Sequence, residues 1–87
     1  MKRENKKYLG FVRTLPCMMC GNPEAEPHHI KGVGNLSGAG LKAADIHTMP
    51  LCRYHHDEMH AHPDLWPQQP IMVLKTQLKA LESGVKL

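Results

Sequence analysis

Pro50-Leu51-Cys52-Arg53-Tyr54-His55-His56-Asp57-Glu58-Met59-His60 decides how this chain is read. Cys52-x-x-His55 has the spacing of a zinc half-site, in which one turn presents two ligands to one ion. His56 and His60 are four residues apart, so a helix places both on one face. Each helical step turns the chain by about 100°, which points His55 away from that face. A single helix over residues 52–61, stopped by Pro63, can therefore serve two separate ions.

Working outward towards the N-terminus, Ile46-His47-Thr48-Met49-Pro50-Leu51 reads as a short strand leading into that helix. Residues 25–31, Ala-Glu-Pro-His-His-Ile-Lys, read as a second short strand, with Pro27 at an edge or entry position. His28 and His29 are neighbours on it and so point to opposite faces. Between the strands, Gly32 to Ala44 carries Gly32, Gly34, Gly38 and Gly40. That is too long for a hairpin turn, and long loops in small domains are often functional.

Upstream lies Cys17-Met18-Met19-Cys20-Gly21, a C-x-x-C turn closed by glycine in the manner of a zinc knuckle. Joined to Cys52 and His55 it gives Cys₃His, a closed tetrahedral set typical of structural Zn²⁺. All three cysteines of the chain are used. An odd cysteine count cannot close a disulfide framework. The 87 residues include only four aromatics, so a metal staple would offset a thin core. All seven histidines lie between His28 and His62. After His55 is assigned, His56 and His60 with one of His28 and His29 can hold a second divalent ion, and the other of that pair is left to act as a base.

At the N-terminus, residues 4–14 are expected to form a helix with Tyr8, Val12 and Leu15 on one face, ended by Pro16. At the other end, Pro67 and Pro70 predict an extended linker. The spacing of Ile71, Leu74, Leu78, Leu81 and Val85 predicts a helix over 71–82, stopped at Ser83-Gly84. That apolar stripe is expected to cover the domain's own core; docking on a partner protein is the alternative use. The chain therefore reads as one α+β domain over residues 1–87, with a short antiparallel hairpin and a zinc-stapled core (17–62) between N-terminal and C-terminal helices.

Net charge is +3, but residues 1–13 hold Lys2, Arg3, Lys6, Lys7 and Arg13 against Glu4 alone. Such a segment suits a phosphate backbone. Lys31, Lys42 and Arg53 lie near the expected cleft and are further phosphate-contact candidates. No apolar run approaches membrane-spanning length, and no apolar segment follows the basic N-terminus. Neither a transmembrane helix nor a secretory signal is expected.

These elements together resemble the HNH, or ββα-metal, nuclease family. The resemblance rests on His28-His29-Ile30, the glycine-rich loop, and the run from Pro50 to His60. With Leu15-Pro16-Cys17-Met18-Met19-Cys20-Gly21 added, the pattern is most similar to phage RecA-dependent nucleases and their small prophage relatives. The resemblance implies a metal-dependent DNA endonuclease of the bacterial or phage-infected cytoplasm, with DNA as substrate and a recombinase such as RecA as a conceivable partner. It assigns His29 as general base and His28, His56 and His60 as ligands of the catalytic ion, Mg²⁺ or Mn²⁺, with Zn²⁺ or Ni²⁺ also compatible with an all-histidine site. The family's middle asparagine, which orients the base, falls at His47 here. Either His47 or Asp45 can take over that hydrogen bond. The alternative function is a zinc-stapled nucleic-acid-binding module without catalysis.

Overall fold

The computed structural model describes residues 4–32 and 43–87. Lys2, Arg3, Lys42 and the loop glycines Gly34, Gly38 and Gly40 lie outside the described residues. The chain forms helix α1 (Lys6–Val12), strands β1 (Ala25–His29) and β2 (Thr48–Cys52), helix α2 (Arg53–Ala61), a 3₁₀ helix (Pro63–Gln68) and helix α3 (Gln69–Glu82). It is an α+β fold in which an antiparallel hairpin runs into a helix and is flanked by N-terminal and C-terminal helices.

The two strands pair from Ala25 with Cys52 to His29 with Thr48. Side chains alternate along a strand, so Glu26 and His28 share one face and His29 takes the other. β2 is buried along its whole length, and no residue separates it from α2. Cys52 stands at the N-cap with an extended backbone, and its side chain caps nothing. This junction fixes the position of the α2 histidines relative to β1.

α1 is shorter than the expected 4–14. Asn5 caps it by accepting from the Tyr8 amide, and after Val12 the chain tightens into turns as Thr14 and Leu15 donate to Phe11 and Val12. Tyr8 and Val12 are fully buried, as their spacing predicts. They pack with Ala44, Ile46 and Ala80 in one apolar cluster. A second cluster gathers Cys17, Ile30, Met49, Leu51, Cys52, Met59, Met72 and Val73, with Trp66 against its edge. Each large side chain fully buried here contributes about 1.5–3 kcal/mol.

Two expectations about the C-terminal third are corrected. The segment before the last helix is not extended: Pro63 starts a 3₁₀ helix, a position where its missing N–H costs nothing. Trp66 Nε1 then donates to the Met59 carbonyl at 2.8 Å and folds this segment back on α2. Pro70 likewise lies in the first turn of α3, so the helix begins at Gln69 rather than 71.

The larger correction concerns which face of α3 is buried. Gln69, Met72, Val73, Thr76 and Ala80 face the core. Ile71, Leu74, Leu78 and Leu81 point outward, each 55–60% exposed. Thr76 and Ala80 are small enough for the helix to approach the hairpin and α1 closely. The Thr76 hydroxyl is satisfied by the Met72 carbonyl. Gln77 Nε2 adds a tie to the Ile46 carbonyl at 2.6 Å.

Candidate metal centres

Cys17, Cys20, Cys52 and His55 converge into one cluster. Cys17 and Cys20 come from the knuckle, where Gly21 takes a positive φ of 78° and its amide donates to the Cys17 carbonyl. The Met18 amide donates to the Pro50 carbonyl and pins the knuckle to β2. Cys52 and His55 come from the junction of β2 and α2. His55 Nδ1 lies 3.6 Å from Cys17 Sγ and 3.3 Å from Cys52 Sγ, and Cys20 Sγ lies 3.8 Å from Cys52 Sγ. A tetrahedral zinc with bonds of about 2.3 Å to sulfur and about 2.0 Å to nitrogen has edges of about 3.5–3.8 Å. The donor atoms thus already stand near the corners that ion requires, and the sulfurs are too far apart for a disulfide.

The thiols are tuned unequally. Burial works to raise Cys17, but amide donors from Cys52, Met19 and Cys20, with the Cys20 thiol, prevail and bring it down to about 6. Cys20 moves up: the Asn22 amide favours its thiolate, but desolvation and the neighbouring Cys17 and Cys52 sulfurs outweigh that help. Crowded thiolates of this kind are relieved by a bound cation.

His28, His56 and His60 form the second cluster. Ring centroids are 4.7 Å apart for His28–His56, 5.2 Å for His28–His60 and 4.8 Å for His56–His60. His28 is fully buried. Its Nε2 lies 3.1 Å from Gln69 Oε1, which also accepts from the Lys31 amide at 2.9 Å. Gln69 Nε2 donates to the carbonyls of Lys31 and Trp66, which fixes its oxygen as the acceptor. His28 must therefore carry its proton on Nε2 and keep the lone pair on Nδ1. That Nδ1 is buried and has no hydrogen-bond partner among the described residues.

His56 Nδ1 is also buried without a hydrogen bond, although Glu26 Oε1 approaches to 3.0 Å. The same Glu26 oxygen stands 2.8 Å from Arg53 Nη2, and Arg53 also pairs with Asp57. Arg53 is thus a balanced charge rather than a bare cation. Lys31 Nζ lies 3.1 Å from His60 Nδ1. Glu58 pairs with His62 at the outer end of α2.

All three imidazoles are biased towards the neutral, ligating form. Burial brings His28 down to about 4, with the nearby histidine charges acting in the same direction. Burial lowers His56 despite the opposing charge of Glu26. Burial and the Lys31 ammonium lower His60. The buried Nδ1 atoms of His28 and His56, which make no hydrogen bond among the described residues, stand beside the exposed His60 as a donor set that suits a divalent ion.

His29, on the opposite face of β1, places Nε2 2.9 Å from Asp45 Oδ1. Asp45 Oδ2 accepts from the Asn5 amide at 2.8 Å, at the head of α1. Of the two residues left open by the sequence, Asp45 rather than His47 contacts His29. His47 lies in the turn before β2; its carbonyl accepts from the Ile30 amide, while its Nδ1 has no hydrogen-bond partner among the described residues. Ile30 and His47 thus close the open end of the hairpin, and the side chain of position 47 makes no hydrogen bond to His29. Among the remaining basic candidates, Lys6, Lys7, Arg13, Lys31 and Arg53 are exposed.

Gln69 and Glu26 carry structural roles that sequence reading does not assign. Gln69 acts across 41 residues of sequence, and the second of two glutamines ahead of a proline gives no signal. Glu26 has a weak one, since it lies two residues before His28 and so on the same strand face.

The fold and its donor sets define a small α+β protein with two Cys/His clusters able to chelate metal. Over residues 1–86 the chain matches the family described as "Protein of unknown function (DUF968)", and it belongs to that family. It is 40% identical over 84 residues to the uncharacterized protein YdfU of Escherichia coli (strain K12). That match takes in 92% of this chain but 24% of YdfU, so the chain spans about a quarter of that relative's length. No solved structure matches it. Among the described residues no helix is long and apolar enough to cross a membrane.

Proposed function

We propose that the chain is a metal-dependent endonuclease of the HNH type that hydrolyses DNA phosphodiester bonds. In this reading Cys17, Cys20, Cys52 and His55 hold a structural Zn²⁺, and His28, His56 and His60 hold a catalytic ion such as Mg²⁺ or Mn²⁺. The observation that carries the reading is His29 braced by the Asp45 carboxylate on the strand that also supplies His28. A structural zinc site alone would need neither this pair nor the second cluster.

Asp45 accepts the proton on His29 Nε2 and so leaves the Nδ1 lone pair available. That nitrogen takes a proton from water as the water oxygen attacks phosphorus. A divalent ion held by His28, His56 and His60 would supply Lewis acidity at the phosphate and at the leaving sugar oxygen, whose bond to phosphorus breaks as the new one forms. Gln69 holds the His28 ring in one orientation and one tautomer, and Glu26 stands against His56. In this reading the exposed Lys6, Lys7, Arg13 and Lys31 offset backbone phosphate charge, with binding that weakens as salt rises.

The test is cleavage of supercoiled plasmid by the zinc-loaded chain, with Mg²⁺ or Mn²⁺ added. Nicking that depends on the added ion and is abolished in His56→Ala is the expected result. DNA binding without cleavage under every metal would instead favour the non-catalytic module.

A further inference from the structure

Lys31 is fixed through its backbone beside the histidine cluster. The buried Gln69 side chain grips it from two directions: Gln69 Oε1 accepts from the Lys31 amide at 2.9 Å, and Gln69 Nε2 donates to the Lys31 carbonyl at 2.7 Å. The next residue, Gly32, lies so close to the Trp66 ring that a Cβ there would collide with it. The same glutamine oxygen meets His28 Nε2. One amide thus sets both the His28 ring and the point from which the Lys31 side chain departs. That side chain is exposed, and its ammonium lies 3.1 Å from His60 Nδ1. Among the described residues it forms no ion pair with a carboxylate.

This contact restricts His60. An ammonium has donors only, so His60 Nδ1 is the acceptor. A neutral imidazole has a single free lone pair, and its proton then sits on Nε2. Neither nitrogen is left to bind a metal while the contact lasts. Ligation through Nδ1 needs the lone pair that Lys31 holds. Ligation through Nε2 moves the proton to Nδ1, which then has nothing to offer a donor. Either way the ammonium must leave before His60 can serve as a ligand. A phosphate is the better partner for it, because a charged acceptor makes a stronger hydrogen bond than a neutral imidazole.

We propose that Lys31 holds His60 away from the ion in the DNA-free chain, and that a DNA backbone phosphate draws the ammonium off and frees the His60 lone pair. The inference rests on reading His28, His56 and His60 as an ion site with DNA as substrate, and it adds a regulation of that site. The ion and DNA each favour binding of the other, and Lys31 carries part of that coupling, which is reciprocal. The chain alone holds the ion less tightly than it does on DNA.

Titration calorimetry with Mn²⁺ on the zinc-loaded, DNA-free chain is the first test. Lys31→Met should bind Mn²⁺ about 3–10-fold more tightly than wild type, the size of a charge-assisted contact at an exposed site. Circular dichroism and zinc content should stay unchanged, because the Gln69 bonds use only the Lys31 backbone. Equal or weaker affinity in Lys31→Met, beside Mn²⁺ binding that His56→Ala abolishes, overturns the proposal and leaves the ion site standing. Mn²⁺ binding absent from wild type and Lys31→Met alike removes the ion site and the proposal with it. The coupling is read in the His29→Ala background, where cleavage is slowed, by fluorescence anisotropy of a labelled duplex. Mn²⁺ should tighten duplex binding by a factor several-fold larger with Lys31 in place than with Lys31→Met added. Equal factors overturn the coupling.

Discussion

Gln69 Oε1 lies 3.1 Å from His28 Nε2, across 41 residues of sequence, and this contact determines which nitrogen of His28 is left to bind a metal. Both ends of the amide are engaged with backbone or imidazole, so the glutamine cannot turn round without losing several hydrogen bonds. Orientation of a ligating histidine by a partner on its other nitrogen is a general way of fixing tautomer and ring position.

Gln69→Ala should therefore act twice. It leaves His28 Nε2 and the backbone of Lys31 without their buried partner, at a cost of about 2–4 kcal/mol in urea unfolding. It should also weaken Mn²⁺ binding to the histidine cluster by about 10–100-fold in titration calorimetry. A loss of stability with unchanged Mn²⁺ affinity would remove the positioning role.

Removing the ion from the Cys₃His cluster should unfold the chain. Strong chelation, or Cys20→Ala, is expected to abolish the cooperative thermal transition, since structural zinc contributes on the order of 10 kcal/mol to folding. Far-ultraviolet circular dichroism during chelation and zinc re-addition checks this. Native melting after complete zinc removal would contradict it.

The depressed His28 makes stability pH-dependent with a definite sign. Its folded value is about 4, below the ordinary value of 6.5, so the unfolded chain binds the extra proton first. The contribution is fully present above about pH 6.5 and is lost as pH falls towards 4. With no second ion added, urea unfolding of the zinc-loaded chain should show wild type losing more stability than His28→Gln between about pH 7 and pH 5. Parallel pH profiles would contradict this.

Gly32 takes a positive φ of 67°, and a Cβ there would collide with the ring of Trp66. Gly32→Ala combines backbone strain with that clash. A loss of about 2–4 kcal/mol is expected in chemical denaturation, larger than for Gly10→Ala, where a Cβ meets open space.

The side-chain groupings able to hold a metal were legible because most of their spacings are local. Cys17-x-x-Cys20, Cys52-x-x-His55 and His56-x-x-x-His60 each span a single turn, and one turn of backbone fixes which side chains can meet. The α+β order of hairpin and helices followed from the same segments. The buried face of α3 was not legible. A row of leucines outweighs Gln69, Thr76 and Ala80 in any hydropathy pattern, yet the small and fully satisfied residues are the ones that allow close packing. The partner of His29 lay between two candidates because turn geometry, not spacing, decides that Asp45 reaches it and His47 does not.

The most direct test of the central claim is the metal-dependent plasmid cleavage rate of His29→Ala beside wild type, both loaded with zinc. His29→Ala is expected to cleave about 10²–10⁴-fold more slowly with folding and zinc content intact, and Asp45→Asn to fall between the two. Cleavage by His29→Ala at the wild-type rate would contradict the assignment of His29 as the base.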